Sequence, residues 1–146
     1  MPGLVLKLRP GERIMVNGVV MENGDRRSKL TVLTPDSQIL RLRDAIHPDE
    51  ADTPVKRVIY IVQLALAGEA EPNHAKQQIR SGIDQLSQVF LTDEALGHLF
   101  RAQEHLEADR LYLTLKELKV LMPLEQQLFE IAEQRKPSAP SLARLR

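Results

Sequence analysis

The hydrophobic period of this chain changes once, near residue 50, and that change restricts the fold more than any other feature. Before it, Leu4, Leu6 and Leu8 stand at every second position, which is the period of a half-buried β-strand. After Pro54, apolar residues recur every three or four positions, which is the period of an amphipathic helix. The sequence therefore predicts an α+β chain, with a small N-terminal β module followed by a helical domain.

Turn signals divide the predicted β module, which covers residues 1–46. Asn17-Gly18 lies between two apolar runs, and this pair favours a two-residue type I′ hairpin because both turn positions need a positive φ. Further turns are expected at Pro10-Gly11, Asn23-Gly24 and 34–37. These signals predict five short antiparallel strands in one small sheet or half-barrel. Such a sheet is too thin to be stable without the helices or a second copy.

The helical domain is predicted to span residues 47–134 and to contain four to five helices. Thr53 followed by Pro54 is a good helix start, because threonine caps the first amides and proline suits the first helical position. The other expected features are a helix over 74–90, N-caps at Thr92 and Asp109, and a kink or restart at Pro123.

Charge is distributed unevenly along a chain whose formal net charge is zero. Residues 1–46 carry eight Lys and Arg residues against five acids, which indicates an anionic partner for the β module. Residues 135–146 are rich in Pro and Ser and carry four positive charges with no acid. This composition predicts a disordered basic tail.

Several classes of site are excluded or disfavoured by composition. The chain has no cysteine, which excludes disulfides, thiolate zinc sites and cysteine nucleophiles. The longest apolar stretch, 58–62, is far too short to span a bilayer, and the N-terminus lacks a secretory signal pattern. No phosphate-binding loop, dinucleotide fingerprint or nucleophile elbow is present. We therefore expect a cytoplasmic protein that is not an enzyme, is not bound to a membrane and carries no cofactor.

The histidines offer one candidate metal site. His98 and His105 lie two helical turns apart, and Glu94 precedes His98 by four residues. A metal site needs three or four converging ligands, and nothing completes this set. The sequence therefore favours solvated helix surface here and predicts no metal site.

Arginines are the candidate ligand-binding residues of the β module. The module has no Phe, Tyr or Trp, so RNA bases could not stack on aromatic rings there. Guanidinium groups bind phosphate in a bidentate manner and stack on bases, which suits Arg9, Arg41 and Arg43 on predicted edge strands. Arg26, Arg27 and Lys29, on a turn and the start of a strand, would act by long-range steering. Exposed arginines on a sheet also occur without any ligand, so this alternative stays open.

Five segments in order carry a resemblance that covers the whole chain. They are Leu6-Lys-Leu-Arg-Pro-Gly-Glu-Arg-Ile, Val16-Asn-Gly-Val-Val, Asn23-Gly-Asp-Arg-Arg, Ile39-Leu-Arg-Leu-Arg-Asp and Glu50-Ala-Asp-Thr-Pro-Val-Lys-Arg-Val-Ile-Tyr. This set resembles the FlbT family of flagellar post-transcriptional regulators. The resemblance implies a protein that binds the untranslated leader of flagellin messenger RNA and represses its translation or promotes its decay. It also implies action alongside a second small regulator, FlaF.

Residues 4–46 show a second, more distant resemblance, to the CsrA family of carbon-storage regulators. Members of that family are strand-swapped homodimers whose first and fifth strands form the RNA-binding edges. The resemblance implies a homodimer with Arg43 at the critical arginine, although Leu8 stands where that family has another arginine. Together, the arginine argument and this resemblance predict that RNA is bound by Leu6, Lys7, Arg9, Arg26, Arg27, Arg41, Arg43 and Ile46.

Two functions remain open from the sequence. The first is an RNA-binding regulator whose β module contacts RNA and whose helices stabilise a dimer or receive a protein partner. The second is a protein-interaction adaptor or chaperone-like factor of flagellar assembly that does not bind RNA directly. Salt separates them, because binding through phosphates weakens steeply as salt rises and an apolar helix contact does not.

Overall fold

The computed structural model describes residues 3–35 and 37–135, and it is a mixed α+β fold as the sequence predicts. Five short strands precede the helices. They are β1 (Leu4–Leu8), β2 (Arg13–Val16), β3 (Val19–Glu22), β4 (Ser28–Val32) and β5 (Ile39–Arg41). Two 3₁₀ turns, Leu42–Asp44 and Pro48–Glu50, lead to α1 (Pro54–Leu66), α2 (Pro72–Leu86), α3 (Asp93–Glu107) and α4 (Leu111–Arg135). The disorder predicted for the basic tail falls on 136–146, outside the described residues.

The strands form two small sheets instead of the single sheet or half-barrel expected from the sequence. β1 pairs with β4 in an antiparallel ribbon, with Leu6 opposite Leu30. The other sheet has the order β3-β2-β5, and both of its pairings are antiparallel. Two sheets can bury apolar side chains between them: Leu6 and Leu8 of the ribbon pack against Ile14 of the second sheet in a small core. We call these two sheets together the β module.

The β2–β3 hairpin confirms the strongest local prediction. Asn17 has a φ of 51° and Gly18 has a φ of 84°, so both turn residues lie in the left-handed region that a type I′ turn requires. The turn leaves Val16 opposite Val19 at the end of the ladder. The register of β3 against β2 is therefore fixed by the turn.

The four α-helices enclose the main core. α1 contributes residues that are fully buried, including Val55, Ile59 and Val62. Leu40 of β5 belongs to this core and Met15 of β2 packs against it. The three-stranded sheet therefore has one face on the helical core and the other face on the small core of the β module.

Local capping signals explain most of the helix starts. Thr53 accepts a hydrogen bond from the amide of Lys56, and Thr92 accepts one from the amide of Ala95, as the sequence predicts for both caps. α2 begins earlier than expected, at Pro72, because the carboxylate of Glu71 accepts hydrogen bonds from two amides of its first turn. A carboxylate N-cap followed by proline is a valid helix start.

Two helix predictions are wrong in detail. Asp109 does not cap α4; it has a φ of 59° and ends α3, where the amide of Arg110 donates to the carbonyl oxygen of His105 at 2.8 Å. Pro123 does not restart a helix, because α4 continues through it to Arg135, and a kink at this position stays a prediction. Pro123 is exposed, so water can hydrate the carbonyl group that loses its amide partner.

Candidate nucleic-acid interface

A buried ion pair between Glu12 and Arg41 organises the β module. Each residue is only 8% exposed. The guanidinium of Arg41 donates from Nε to Glu12 Oε2 at 2.7 Å and from Nη2 to Glu12 Oε1 at 3.0 Å, which is a bidentate contact. Nη2 also donates to the carbonyl oxygen of Lys7 at 2.5 Å. Arg41 therefore joins β5 to β1 and to the turn between β1 and β2.

The charge state of this pair follows from its hydrogen bonds. The hydrogen bond from Arg41 lowers the pKa of Glu12 to about 2 although burial acts to raise it, and the amide of Arg9 contributes a second hydrogen bond in the same direction. The hydrogen bond to Glu12 likewise raises the pKa of Arg41. Both groups are charged at neutral pH, so Glu12 neutralises Arg41 inside the module.

Arg43 lies two residues beyond Arg41 but reaches the surface. The 3₁₀ turn that begins at Leu42 interrupts the strand alternation, which would otherwise place Arg41 and Arg43 on the same face. The Nε atom of Arg43 lies 3.6 Å from Glu12 Oε2, and 38% of its side chain is exposed. The same carboxylate therefore holds one arginine inside the module and anchors a second arginine at its surface.

Basic side chains gather in one shallow groove, here called the basic groove. It has a volume of about 560 Å³ and is lined by Lys7, Leu8, Arg9, Arg27, Ser28, Lys29 and Arg43. Lys7 of β1 stands directly opposite Lys29 of β4 in the ladder. Like charges directly opposite each other destabilise a sheet, so the fold gains no stability from this pair.

Most cations of the basic groove lack a neutralising partner. Among the described residues, no carboxylate lies within ion-pair distance of Lys7, Arg9, Arg27 or Lys29. Within the described ranges, Arg43 is the one groove cation in contact with acids, namely Glu12 and Asp44. Cations concentrated at the surface in this way favour the binding of an anion.

The structure brings together half of the residues predicted to bind RNA. Lys7, Arg9, Arg27 and Arg43 all line the basic groove. Lys29 joins them, although only long-range steering is predicted for it from the sequence. Its position depends on the pairing of β1 with β4, and no local signal in the sequence predicts that pairing.

The structure places the other predicted RNA-binding residues elsewhere. Leu6 is 1% exposed and Arg41 is 8% exposed, so neither side chain is accessible to a ligand on the surface of this fold. Ile46 packs against the helical core, and its backbone exchanges hydrogen bonds with the side-chain amide of Gln63. Arg26 is exposed but does not line the groove. Leu6, Arg41 and Ile46 therefore have structural roles in this fold, and the RNA contacts predicted for them stay predictions.

The histidine cluster also differs from the expected arrangement. His98 Nδ1 lies 2.7 Å from Glu117 of α4, so its carboxylate partner is Glu117 and not Glu94. Burial acts to raise the pKa of Glu117, but the hydrogen bond with His98 and the charge of Arg101 lower it overall. This cluster joins α3 to α4. No group of three or more potential metal ligands occurs in the part of the chain that the structure describes.

Comparison with known proteins identifies the family. The family model described as flagellar protein FlbT matches residues 4–129, which include the whole β module and nearly all of the described helices. The chain belongs to the FlbT family. Across residues 3–35 and 37–135, no helix of this FlbT protein has the length and apolar character needed to cross a membrane.

Several curated FlbT proteins resemble the chain along almost its full length. A probable flagellum biosynthesis repressor protein FlbT from Caulobacter sp. is 32% identical over 132 residues, covering 90% of this chain and 95% of that protein. Its counterpart from Allorhizobium ampelinum is 30% identical over 130 residues, covering 89% and 86%. The flagellum biosynthesis repressor protein FlbT of Caulobacter vibrioides is 29% identical over 132 residues, covering 90% and 88%. No solved structure matches the chain.

The resemblance to the CsrA family stays a prediction. β1 and β5, which correspond in order to the RNA-binding strands of that family, belong to different sheets in this FlbT protein. They are linked through the hydrogen bond from Arg41 to the carbonyl oxygen of Lys7. The candidate interface therefore rests on the basic groove itself.

Proposed function

We propose that this chain regulates flagellum synthesis after transcription, by binding the untranslated leader of flagellin messenger RNA through the basic groove. The names of its FlbT relatives as flagellum biosynthesis repressors support a regulatory role. The observation that carries the RNA-binding step is the set of groove cations that have no acidic partner in the part of the chain that the structure describes. The bound leader would be translated less or degraded sooner, and no catalytic step is required of the chain. FlaF is proposed as a protein partner on the family resemblance alone.

The chemistry of the groove suits the backbone of single-stranded RNA. Lys7 and Lys29 repel each other across the ladder, so a phosphate between them would relieve that repulsion. Arg9, Arg27 and Arg43 supply planar guanidinium groups, which grip phosphate oxygens and also stack on bases. The β module offers no aromatic ring for stacking. Phosphate contacts would therefore dominate the binding energy.

Titration with RNA at several salt concentrations tests the proposal. Purified protein is titrated with a flagellin leader RNA and with an unrelated RNA of equal length. Removing one phosphate contact with Lys29→Ala should lower the slope of log affinity against log salt by about 1 and weaken binding to both RNAs. Arg13→Ala is the matched control, because Arg13 is an exposed cation of the same module outside the groove and is paired with Glu22.

Other outcomes of this titration would count against the proposal. If neither RNA binds, or if the affinity does not change with salt, phosphate binding in the groove is wrong. If Arg13→Ala weakens binding as much as Lys29→Ala, the groove is not the specific surface.

The adaptor function remains the second candidate because of one feature of α4. Residues 126–135 of this helix are all exposed, and they include Leu128, Phe129 and Ile131. An amphipathic helix that extends beyond its own core can pack on a partner helix. Loss of protein co-purification in Phe129→Ala, together with unchanged RNA affinity, would favour the adaptor.

A further inference from the structure

Strand β3 extends beyond the two cores that cover the rest of its sheet. In β2, Ile14 is buried in the small core and Met15 packs against the helical core. Their partners in β3 are exposed: Met21, opposite Ile14, is 41% exposed and Val20, opposite Met15, is 54% exposed. Val19, next to the turn, is 60% exposed. Both faces of an apolar strand are thus in contact with solvent.

The two edges of this sheet are treated differently by the fold. All three residues of β5, at one edge, are buried, and Arg41 links that edge to β1. β3 forms the other edge, and in the described parts of the chain no strand pairs with it there. Natural edge strands are commonly protected by charged side chains, proline or a bulge. β3 has no lysine, proline or bulge, and its one charged residue, Glu22, lies at its end and is paired with Arg13 of its own copy. An unprotected apolar edge is a site for pairing with another strand.

We propose that β3 pairs antiparallel with β3 of a second copy, around a twofold axis that passes beside Val20. The two-residue turn closes on Val16 and Val19, so the alternating ladder directs the N–H and C=O of Val20 away from β2. Val20 can then exchange two backbone hydrogen bonds with Val20 of the second copy. The result is one continuous sheet of six strands across both copies.

In this register, the side chains of β3 are compatible with those of β3 in the second copy. With Val20 opposite itself, Val19 faces Met21 of the second copy, so apolar residues meet only apolar residues. Glu22 falls opposite Gly18 and keeps its own partner, Arg13, at 2.9 Å. No like charges face each other, and this self-complementarity is what an isologous contact between identical chains requires.

A strand of four residues makes a small interface, so the dimer should depend on protein concentration. This inference does not rest on RNA binding. It uses a strand outside the basic groove, and it can be tested without RNA.

The absence of cysteine from the chain allows a direct test of the register by disulfide formation. Residues opposite each other in an antiparallel pair have Cα atoms about 4.5–5.5 Å apart, within the range that a disulfide can bridge. Val20→Cys should therefore form an intermolecular disulfide in the folded protein under mild oxidation. Val19→Cys alone and Met21→Cys alone should not form this disulfide, because each cysteine would lie diagonally across from the identical cysteine of the second copy. A mixture of the two variants should cross-link, because position 19 of one copy faces position 21 of the other.

Phe100→Cys is the matched control, because Phe100 is 66% exposed on α3, away from β3. If Val20→Cys cross-links no faster than Phe100→Cys, the proposal is overturned. Cross-linking of Val19→Cys alone at the rate of Val20→Cys would overturn the register.

Sedimentation velocity provides an independent test without cysteines. The unmodified protein should shift from monomer to dimer as its concentration rises. Val20→Glu places two like charges at the axis and should remain monomeric, whereas Phe100→Glu should still dimerise. Thermal unfolding of dilute protein tests whether Val20→Glu is folded, and we expect it to be, because Val20 is already half exposed. A monomeric parent protein, or a dimer that survives Val20→Glu, would overturn the proposal.

Discussion

The β module and the helical domain each depend on one buried carboxylate, but the two carboxylates act on different partners. Glu12 of the β module binds the charged guanidinium of Arg41. Glu125 of α4 binds neutral donors at the start of α1: the hydroxyl of Thr53 at 2.6 Å and the amide of Val55 at 3.0 Å. Loss of Glu12 leaves a buried charge uncompensated, whereas loss of Glu125 leaves only uncharged polar groups. The two regions therefore differ in how costly their polar contacts are to break.

This contrast reflects the size of the two cores. The helical core is extensive and apolar, and Glu125 serves it as a helix cap contributed from a distant part of the chain. The small core of the β module contains few residues, so the ion pair carries more of its organisation. Glu12 therefore connects the interior of this module to its cationic surface, because the same carboxylate contacts the buried Arg41 and the partly exposed Arg43.

Glu12→Gln should produce the largest loss of stability. The variant leaves Arg41 buried without its counterion, and removing one partner of a buried ion pair costs about 3–5 kcal/mol. Urea denaturation measures the free energy of unfolding. The control is Glu22→Gln, whose exposed pair with Arg13 should be worth less than about 1 kcal/mol. Equal losses in the two variants would show that Glu12 acts only as a surface ion.

The stability supplied by Glu12 should depend on pH in a defined window. Its pKa is lowered from 4.5 to about 2, so its contribution is complete above pH 4.5 and is lost as the pH falls towards 2. The shift corresponds to about 3 kcal/mol. The difference in unfolding free energy between the parent protein and Glu12→Gln should narrow between pH 4.5 and 2. A difference that stays constant across this window contradicts the assignment.

Glu125→Gln should destabilise the helical domain by a smaller amount, about 1–2 kcal/mol. Glutamine retains one acceptor oxygen, so only one of the two donors at the start of α1 loses its partner. Thermal unfolding of this variant should be compared with that of Glu104→Gln, which changes an exposed acid on α3. A loss as large as that of Glu12→Gln would erase the distinction between the two regions.

Lys29→Glu should have the smallest effect on stability and the opposite sign. It replaces a like-charge pair with an opposite-charge pair across from Lys7, which should raise stability by about 0.2–1 kcal/mol. RNA affinity should fall in the same variant, because the groove loses a cation and gains an anion. Lys29→Gln should lie between the two in both measurements. If stability falls instead, Lys7 and Lys29 do not repel each other in the folded protein.

Features fixed by neighbouring residues were predictable from the sequence. The caps at Thr53 and Thr92 depend on amides within the next three residues, and the Asn17-Gly18 turn depends on the φ angles of two residues. Asp109 shows the limit of this approach. An acid before an apolar run predicts an N-cap. Asp109 instead adopts the left-handed conformation that follows the C-terminus of α3, so it ends the preceding helix and does not cap the next one.

The candidate site was predictable as a set of charges but not as an arrangement. The sequence predicts Arg41 and Arg43 to be equivalent residues of one strand. Because a 3₁₀ turn begins between them, Arg41 is buried and Arg43 lies at the surface. Lys29 became a groove residue only through the pairing of β4 with β1. Strand pairing joins residues that are distant in the chain, so local patterns carry little information about it.

The sequence by itself determined the two-part architecture, the hairpin turn, most helix starts and the basic character of the β module. These depend on hydrophobic period, backbone preference and composition, which act over a few residues. The tertiary structure decided which cations are neutralised, which face the groove and which strand edge remains open. Those outcomes depend on desolvation and on strand pairing, because a side chain's charge is neutralised or exposed according to the distant residues that pack around it.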